Sequence, residues 1–393
     1  MEENKQNNEN NTEAKGATPE INPSRKPISE MNEEKATPIV KEEVKATATN
    51  EPTAPPTKTL EEKASSDDDS KMYTNIPKAE LKKLQDDAEK VRLEVAKMLI
   101  GQSELVDLLL VSLFTGGHVL LEGVPGIAKT LAAKLLAKSL DTEFSRIQFT
   151  PDLMPADVIG SAIFNMKTSS FDFKKGPIFS NIVLIDEINR SPAKTQAALI
   201  EVMEEKQITV DGVTHKMGKP FFIVATQNPI EQEGTYQLPE AQLDRFAFRV
   251  RMDLPELAEE KLILERYQND FSQSFDAIHK VLNPSDIEQI YHMVEKVFIK
   301  KEVLDYIAQI VVSTRSSYQI YMGASPRASL WLLKSSKALA ALNGRDFVTP
   351  DDIKFLAPYV LNHRIVLSHE KELEGTPAEM VIKELIESIE VPR

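Results

Sequence analysis

The sequence predicts an α/β fold: a mostly parallel sheet flanked by helices, followed by a smaller all-helical domain. Three observations predict it. Short apolar segments at 118–121, 145–149, 182–185, 221–226 and 247–251 alternate with helical patterns, which implies parallel strands covered on both faces. A glycine-containing loop joins the first of these strands to a helix. Beyond Leu254 the strand signals fade, and helical patterns follow at about 256–268, 285–297, 301–316, 327–342 and 350–357. The expected organisation is a disordered tail over 1–72, an α/β core over 73–255 and a helical domain over 256–393, with the boundary near Pro255.

Composition bounds the function before any motif does. The chain has 393 residues, enough for two ordinary domains and an extension. Residues 1–72 hold no Phe, Tyr or Trp, and carry 16 Asp and Glu against 10 Lys and Arg. Such a stretch cannot bury enough apolar surface to offset its chain entropy. The net charge of -14 and pI of about 5.1 argue against a sequence-independent grip on nucleic acid. The absence of cysteine excludes disulfides, thiolate zinc sites and redox thiols. It is compatible with the cytoplasmic location expected for a chain that starts Met1–Glu2–Glu3–Asn4 with no apolar signal core. The most apolar run, Leu105–Phe114, is too short to span a bilayer and is interrupted by Asp107. His118, His215, His279, His292, His363 and His369 show no metal-ligand spacing and read as structural or surface residues.

The elements follow in order. Leu81, Leu84, Ala88, Val91 and Val95 recur at helical spacing and predict a helix over 78–97. A second helix is predicted from Ser103, as N-cap, to Phe114. The strand His118–Leu121 then leads through Glu122 into Gly123–Val124–Pro125–Gly126–Ile127–Ala128–Lys129–Thr130, and a helix rich in Ala, Leu and Lys runs on to about Leu140. Backbone N–H groups of such a loop, together with a helix N-terminus, can wrap a polyphosphate. Lys129 would reach the β- and γ-phosphates, and Thr130 would place its hydroxyl on Mg²⁺. Ala128 stands where the general pattern has glycine, and it is the smallest residue with a Cβ.

Two further strands end in polar groups. Ile182–Ile185 delivers Asp186 and Glu187 at its carboxyl end, where ligands bind in sheets of this kind. Asp186 would join the Mg²⁺ shell, and Glu187 would activate water as a general base. Phe221–Gln227 ends at Asn228, held by Pro229, where a carboxamide can orient water and touch the γ-phosphate. Read singly, each is equally an acidic turn or an Asn-Pro turn; together with the loop they point to nucleotide hydrolysis. GTP is disfavoured: the single Asn-Lys pair, Asn4–Lys5, continues Gln6–Asn7 instead of forming a guanine-reading motif.

The chain resembles the MoxR family of AAA+ ATPases, in the helix-2-insert branch. The residues that carry this are Gly117–Thr130, Asp186–Glu187–Ile188–Asn189–Arg190, Ala225–Thr226–Gln227–Asn228–Pro229, Leu238–Phe246 and Gly323–Ala324–Ser325–Pro326–Arg327–Ala328, and the likeness runs from about residue 78 to the C-terminus. The family pattern tolerates alanine at the position of Ala128. The resemblance implies an AAA+ nucleotide-binding domain with a helical lid, ATP and Mg²⁺ as cofactors, and adenine near Leu99–Ile100–Gly101. It implies that Arg245 is an arginine finger presented to a neighbouring subunit and that Arg327 is a sensor arginine at the start of a lid helix. It leaves open whether Arg327 acts in its own subunit or across the interface. The implied partners are further copies in a ring, with a hexamer expected, a protein with a von Willebrand factor A domain, and a client complex that is remodelled or matured.

Two insertions fit that branch. Residues 152–177 lengthen the link between the second and third strands and carry Phe164, Phe171 and Phe173. Residues 206–216 alternate around Asp211–Gly212, a two-residue hairpin signal, and by resemblance face the ring pore. The rival from another class is a DNA-dependent motor, since the branch contains helicases; the acidic charge counts against it.

Overall fold

The computed structural model describes residues 76–229, 235–268 and 275–392; the tail expected over 1–72 lies outside them. Helices α1 (Lys78–Ala96) and α2 (Ser103–Phe114) come first. α1 buries Leu81, Leu84, Ala88, Val91 and Val95, one stripe of an amphipathic helix. α2 is buried along most of its circumference, because other elements cover it on several sides. Its N-cap corrects one expectation. Ser103 is the first helical residue, and Gln102 holds the cap position without a side-chain bond.

The α/β part then runs β1 (Val119–Glu122), α3 (Lys129–Ser139), β2 (Phe144–Gln148), α4 (Pro155–Ile159), β3 (Gly160–Asn165), β4 (Ser170–Lys175), β5 (Ile182–Asp186), α5 (Ala193–Glu205), β6 (Gln207–Val210), β7 (Val213–Lys216), β8 (Phe222–Gln227), α6 (Glu240–Leu243) and β9 (Phe248–Arg251). The helical part comprises α7 (Leu257–Tyr267), α8 (Pro284–Glu295), α9 (Lys301–Ser316), α10 (Pro326–Leu342), α11 (Pro350–Leu361), α12 (His369–Leu373) and α13 (Ala378–Glu387). It also holds a small antiparallel ribbon that the sequence reading did not contain. In it β10 (Ile320–Met322) pairs with β11 (Val366–Leu367), strands too short for an alternation pattern to register.

Five strands form one parallel sheet in the order β2-β5-β8-β1-β9. β1 lies between β8 and β9, so the chain crosses back over it after β8. The period-2 alternation of strands decides the packing. On one face Val119 and Leu121, Ile182 and Leu184, and Phe222 and Val224 join α1, α2 and α3. On the other face Leu120, Val183, Ile185, Ile223 and Ala225 join Leu199 and Met203 of α5. The first core does not stop at the sheet. It continues without a break into Ile287 and Ile290 of α8, Tyr306 of α9, Leu332 of α10 and Ile353 of α11.

The insertions form two hairpins, β3 with β4 and β6 with β7. Asp211 and Gly212 turn the second with φ of 50° and 78°, the left-handed pair that a tight hairpin requires. Phe173 of the first hairpin stacks on His215 of the second at 4.4 Å between ring centroids, and Phe179 meets both rings edge-on.

Two histidines are locked in the core. His118 accepts a hydrogen bond at Nδ1 from the Ile223 amide at 3.0 Å, so Nε2 carries the proton toward the Met203 carbonyl at 3.2 Å. Burial, and secondarily the charge of Lys206, push its pKa down to about 3. His363 is held well below the ordinary value by burial and by the adjacent Arg364. The His118 ring is neutral when folded and binds a proton once unfolded below about pH 6.5, so its contribution to stability falls as pH drops through that value and is level above it, and the lowered pKa of His363 acts in the same direction. At pH 5 the His118 contribution is about 2 kcal/mol. Urea unfolding at pH 7 and pH 5 should show a lower midpoint at pH 5. Imidazole NMR should show the His118 ring neutral at pH 5; a His118 ring that titrates near 6.5 in the folded protein contradicts this account.

Candidate active site

The carboxyl ends of β1, β5 and β8 converge on a cleft of about 460 Å³. Pro125, Gly126, Ala128, Lys129, Thr130, Asp186, Glu187 and Asn228 line it. The loop that enters α3 is shaped by close approach. A Cβ on Gly123 would lie 2.2 Å from Ile127 Cδ1 and 2.9 Å from the Met252 carbonyl oxygen. Gly126 and Ala128 are both left-handed, with φ of 90° and 68°. Ala128 therefore carries a strain of about 1–2 kcal/mol that glycine would not. Val124 and Ile127 pack on the main core and fix the loop from behind. Lys129 leads α3, with its ammonium donating to the carbonyls of Gly123, Val124 and Gln227.

Asp186 is the junction of the site. Its Oδ1 accepts from the Thr130 hydroxyl at 3.0 Å and from the Thr226 hydroxyl at 3.2 Å, and its Oδ2 accepts from Arg146 Nε at 2.5 Å. Among the described residues no group of three or more His, Cys, Asp or Glu could hold a metal by itself. A hydroxyl and one carboxylate are hard oxygen donors, which suits Mg²⁺ that takes its remaining ligands from phosphate and water.

Glu187 follows in a left-handed conformation, φ 57°, ψ 53°, that turns the chain out of β5. Its amide donates to Thr226 Oγ1 at 3.0 Å. Its carboxylate accepts from Gln148 Nε2 at 3.0 Å and pairs with Arg190 Nε at 3.0 Å. Asn228 is buried at the end of β8 and faces the same cleft. Ile100 and Gly101 line a second hollow of about 470 Å³ with Ala96, Leu99, Leu262, Glu265 and Arg266. Gly101 has a φ of 77°, the left-handed region that favours glycine, and a Cβ there would displace the Glu259 carboxylate, 2.3 Å away.

The two arginines lie elsewhere. Neither lines the cleft of its own chain. Both meet Glu204 near the end of α5: Arg245 forms an ion pair with it, and Arg327 Nη2 donates to it at 2.8 Å. Arg327 Nη1 also stands 3.6 Å from Asp244. Burial, then the charge of Arg327, lowers the pKa of Arg245 from its ordinary value.

The description "ATPase family associated with various cellular activities (AAA)" fits residues 118–248, and an AAA lid domain fits residues 312–385. Chaperone MoxR1 of Mycobacterium tuberculosis is 41% identical over 314 residues, 78% of this chain and 82% of that protein. The chain belongs to the MoxR family of AAA ATPases. The uncharacterized protein YeaC of Bacillus subtilis is 45% identical over 298 residues, 76% of this chain and 92% of its own. A crystal structure from Cytophaga hutchinsonii matches with a TM-score of 0.74 at 41% identity, covering 80% of this chain and 98% of that one. ATP is thus the nucleotide of this family's cleft.

The sequence reading gave no role to Arg146, Gln148, Thr226 and Arg190, which bond Asp186 and Glu187. A signal existed for the first two. Arg146 and Gln148 are two residues apart on β2, so they share a face of an edge strand beside Asp186. The loop geometry sets a test at Gly123. Gly123→Ala should destabilise the protein by about 1–3 kcal/mol through overpacking against Ile127 and the Met252 carbonyl. It should also remove the upward shift in melting temperature that ATP gives the parent chain; an ATP shift equal to that of the parent would show that the loop has room to spare.

Proposed function

We propose that this chain hydrolyses ATP with Mg²⁺ in the cleft between β1, β5 and β8, and that a ring of copies couples the hydrolysis to remodelling or maturation of a protein complex. The observation that carries the reading is the convergence of Lys129, Thr130, Asp186, Glu187 and Asn228 on one cleft, with Thr130 and Asp186 already in contact. Mg²⁺ bound by Thr130 and Asp186 would offset phosphate charge. Lys129 would leave the loop carbonyls for the β- and γ-phosphates. Glu187, released from Gln148 or Arg190, would take the proton of the attacking water, and Asn228 would orient that water. Gly123, Val124, Pro125, Gly126, Ile127 and Ala128 would wrap the phosphates, with Ile100 and Gly101 beside the adenine.

Arg245 and Arg327 support a shared site. Both stand together on Glu204, with Arg327 also facing Asp244, away from their own cleft, which favours delivery of both to the nucleotide of an adjacent copy. That is the physical reason to expect a closed ring, with a hexamer as the working size. The reading divides the chain into a tail over 1–72, an ATPase core over 73–255 and a lid over 256–393. The client side rests on the likeness to a protein named as a chaperone, and a partner with a von Willebrand factor A domain fits the family. A cytoplasmic setting accompanies it. Among the described residues no helix is long and apolar enough to cross a membrane. The acidic net charge of -14 disfavours a DNA-driven motor, which stimulation of turnover by DNA would reinstate.

Lys129→Ala should lose ATP binding. Glu187→Gln should bind ATP and turn it over about 10²–10⁴-fold more slowly, because the base is lost while the shape stays. Wild-type turnover by Glu187→Gln would falsify the base assignment. Mixed after subunit exchange, Arg245→Ala and Lys129→Ala should regain part of the turnover that each lacks alone, since some interfaces then pair an intact loop with an intact finger.

A further inference from the structure

The segment Asn362–His363–Arg364, just past α11, is bonded along the whole approach to β9. The Arg364 side chain is 1% exposed, and its five N–H donors meet five acceptors. Nε donates to Asp244 Oδ1 at 2.7 Å; Nη2 donates to the carbonyls of Asp244 at 2.9 Å and Phe246 at 2.6 Å. Nη1 donates to the carbonyls of Ala247 at 3.2 Å and Val360 at 2.5 Å. His363 Nε2 bonds the Phe246 carbonyl at 3.1 Å, and Asn362 Nδ2 donates to the Arg249 carbonyl at 3.0 Å. Three consecutive side chains of the helical region thus bond main-chain atoms on either side of Arg245.

A buried guanidinium is a costly way to hold a loop. Isolated burial of the charge is opposed by several kcal/mol, offset here by the single carboxylate of Asp244 and four carbonyls. What the planar fork adds is direction, since it fixes several acceptors in one plane at once. Asp244 carries the constraint further. Its other oxygen accepts from the Ser325 hydroxyl at 3.4 Å and faces Arg327 at 3.6 Å, at the very start of α10.

We propose that Arg364, with Asn362 and His363, is the positioning clamp for Arg245 and Arg327: it holds both arginines in the orientation in which they reach the neighbouring subunit's nucleotide. The inference rests on the reading that Arg245 acts across the interface. The clamp then limits turnover in the next subunit and not in its own. It also ties finger geometry to α11, so a displacement of α11 moves the catalytic charge seen by the neighbour.

The test uses the full-length chain with Mg-ATP. Arg364→Lys keeps the charge and loses the fork. It should melt cooperatively and bind ATP within about threefold of the parent, because its own loop is intact. Its kcat should fall about 10²-fold, the usual cost of an ångström-scale misplacement of a catalytic group. Mixed with Lys129→Ala, whose finger is sound, it should recover turnover; mixed with Arg245→Ala it should not. An effect on its own cleft gives the opposite pattern; that pattern, undiminished turnover, or recovery with neither partner from a variant that melts cooperatively overturns the clamp. Should Arg364→Lys not fold, Asn362→Ala removes the bond to the Arg249 carbonyl at lower cost and must show the same choice of partner. The mixture of Arg245→Ala with Lys129→Ala is the control. Failure there, with exchange confirmed by labelled subunits, removes the shared-site reading and the clamp with it; recovery there leaves the Arg364 variant to decide the clamp alone.

Discussion

One buried carboxylate organises the site. Asp186 ends β5 and is bonded to α3 through Thr130, to β8 through Thr226 and to β2 through Arg146. A charge in that position would be untenable alone, and its three donors are what make it stable. The same bonds determine where every other group stands. Thr130 places the start of α3 and so the phosphate loop. Thr226 caps the amide of Glu187 and so aims the next carboxylate. The left-handed turn at Glu187 is held by that pair of contacts, an example of local strain sustained by its surroundings at a functional site.

Charge of the opposite sign is kept on another face. Arg245, Arg327 and Arg364 gather around Asp244 and Glu204, three guanidiniums on two carboxylates. Arg245 and Arg327 of this cluster are partly exposed, while the cleft is lined by Lys129, Lys134 and Arg146 beside Asp186 and Glu187, a set that suits a polyanion. A polyanion bound in that cleft and a cationic face on an adjacent copy are complementary in sign, and such complementarity sets register between subunits as well as stabilising the transferred phosphoryl group.

Much of this was legible in the sequence because it depends on short-range chemistry. The run Gly123–Thr130 between an apolar strand and a helix reads as a phosphate loop from its own neighbourhood, and four aliphatics before Asp186 dictate a buried strand with a carboxylate at its tip. Asp211–Gly212 dictates a tight hairpin for the same local reason. The β10–β11 ribbon was not legible, since strands of three and two residues leave no periodic trace. Thr226 was given no role because its importance comes from strand register, which sets β8 beside β5 and is not written in its own neighbourhood, whereas Arg146 and Gln148 left the trace of two polar side chains on one face of β2. The bonds of Arg364 to residues 244–247 span well over a hundred positions of sequence and are a product of tertiary structure alone.

The unbroken core has a mechanical consequence. A flap that swings on a hinge has an interior of its own and a thin interface to what it covers. Here α8, α9, α10 and α11 share one interior with α1, α2 and one face of the sheet. Prising them apart would expose apolar surface at about 25 cal/mol per Å², a penalty that grows with every ångström of gap. Sliding keeps the surface covered and costs far less. Any movement of the C-terminal helices against the sheet would therefore be of the shear type, with packed helices shifting by small steps along one another. Such motion would transmit force with little lost travel, as the proposed remodelling of a bound protein requires.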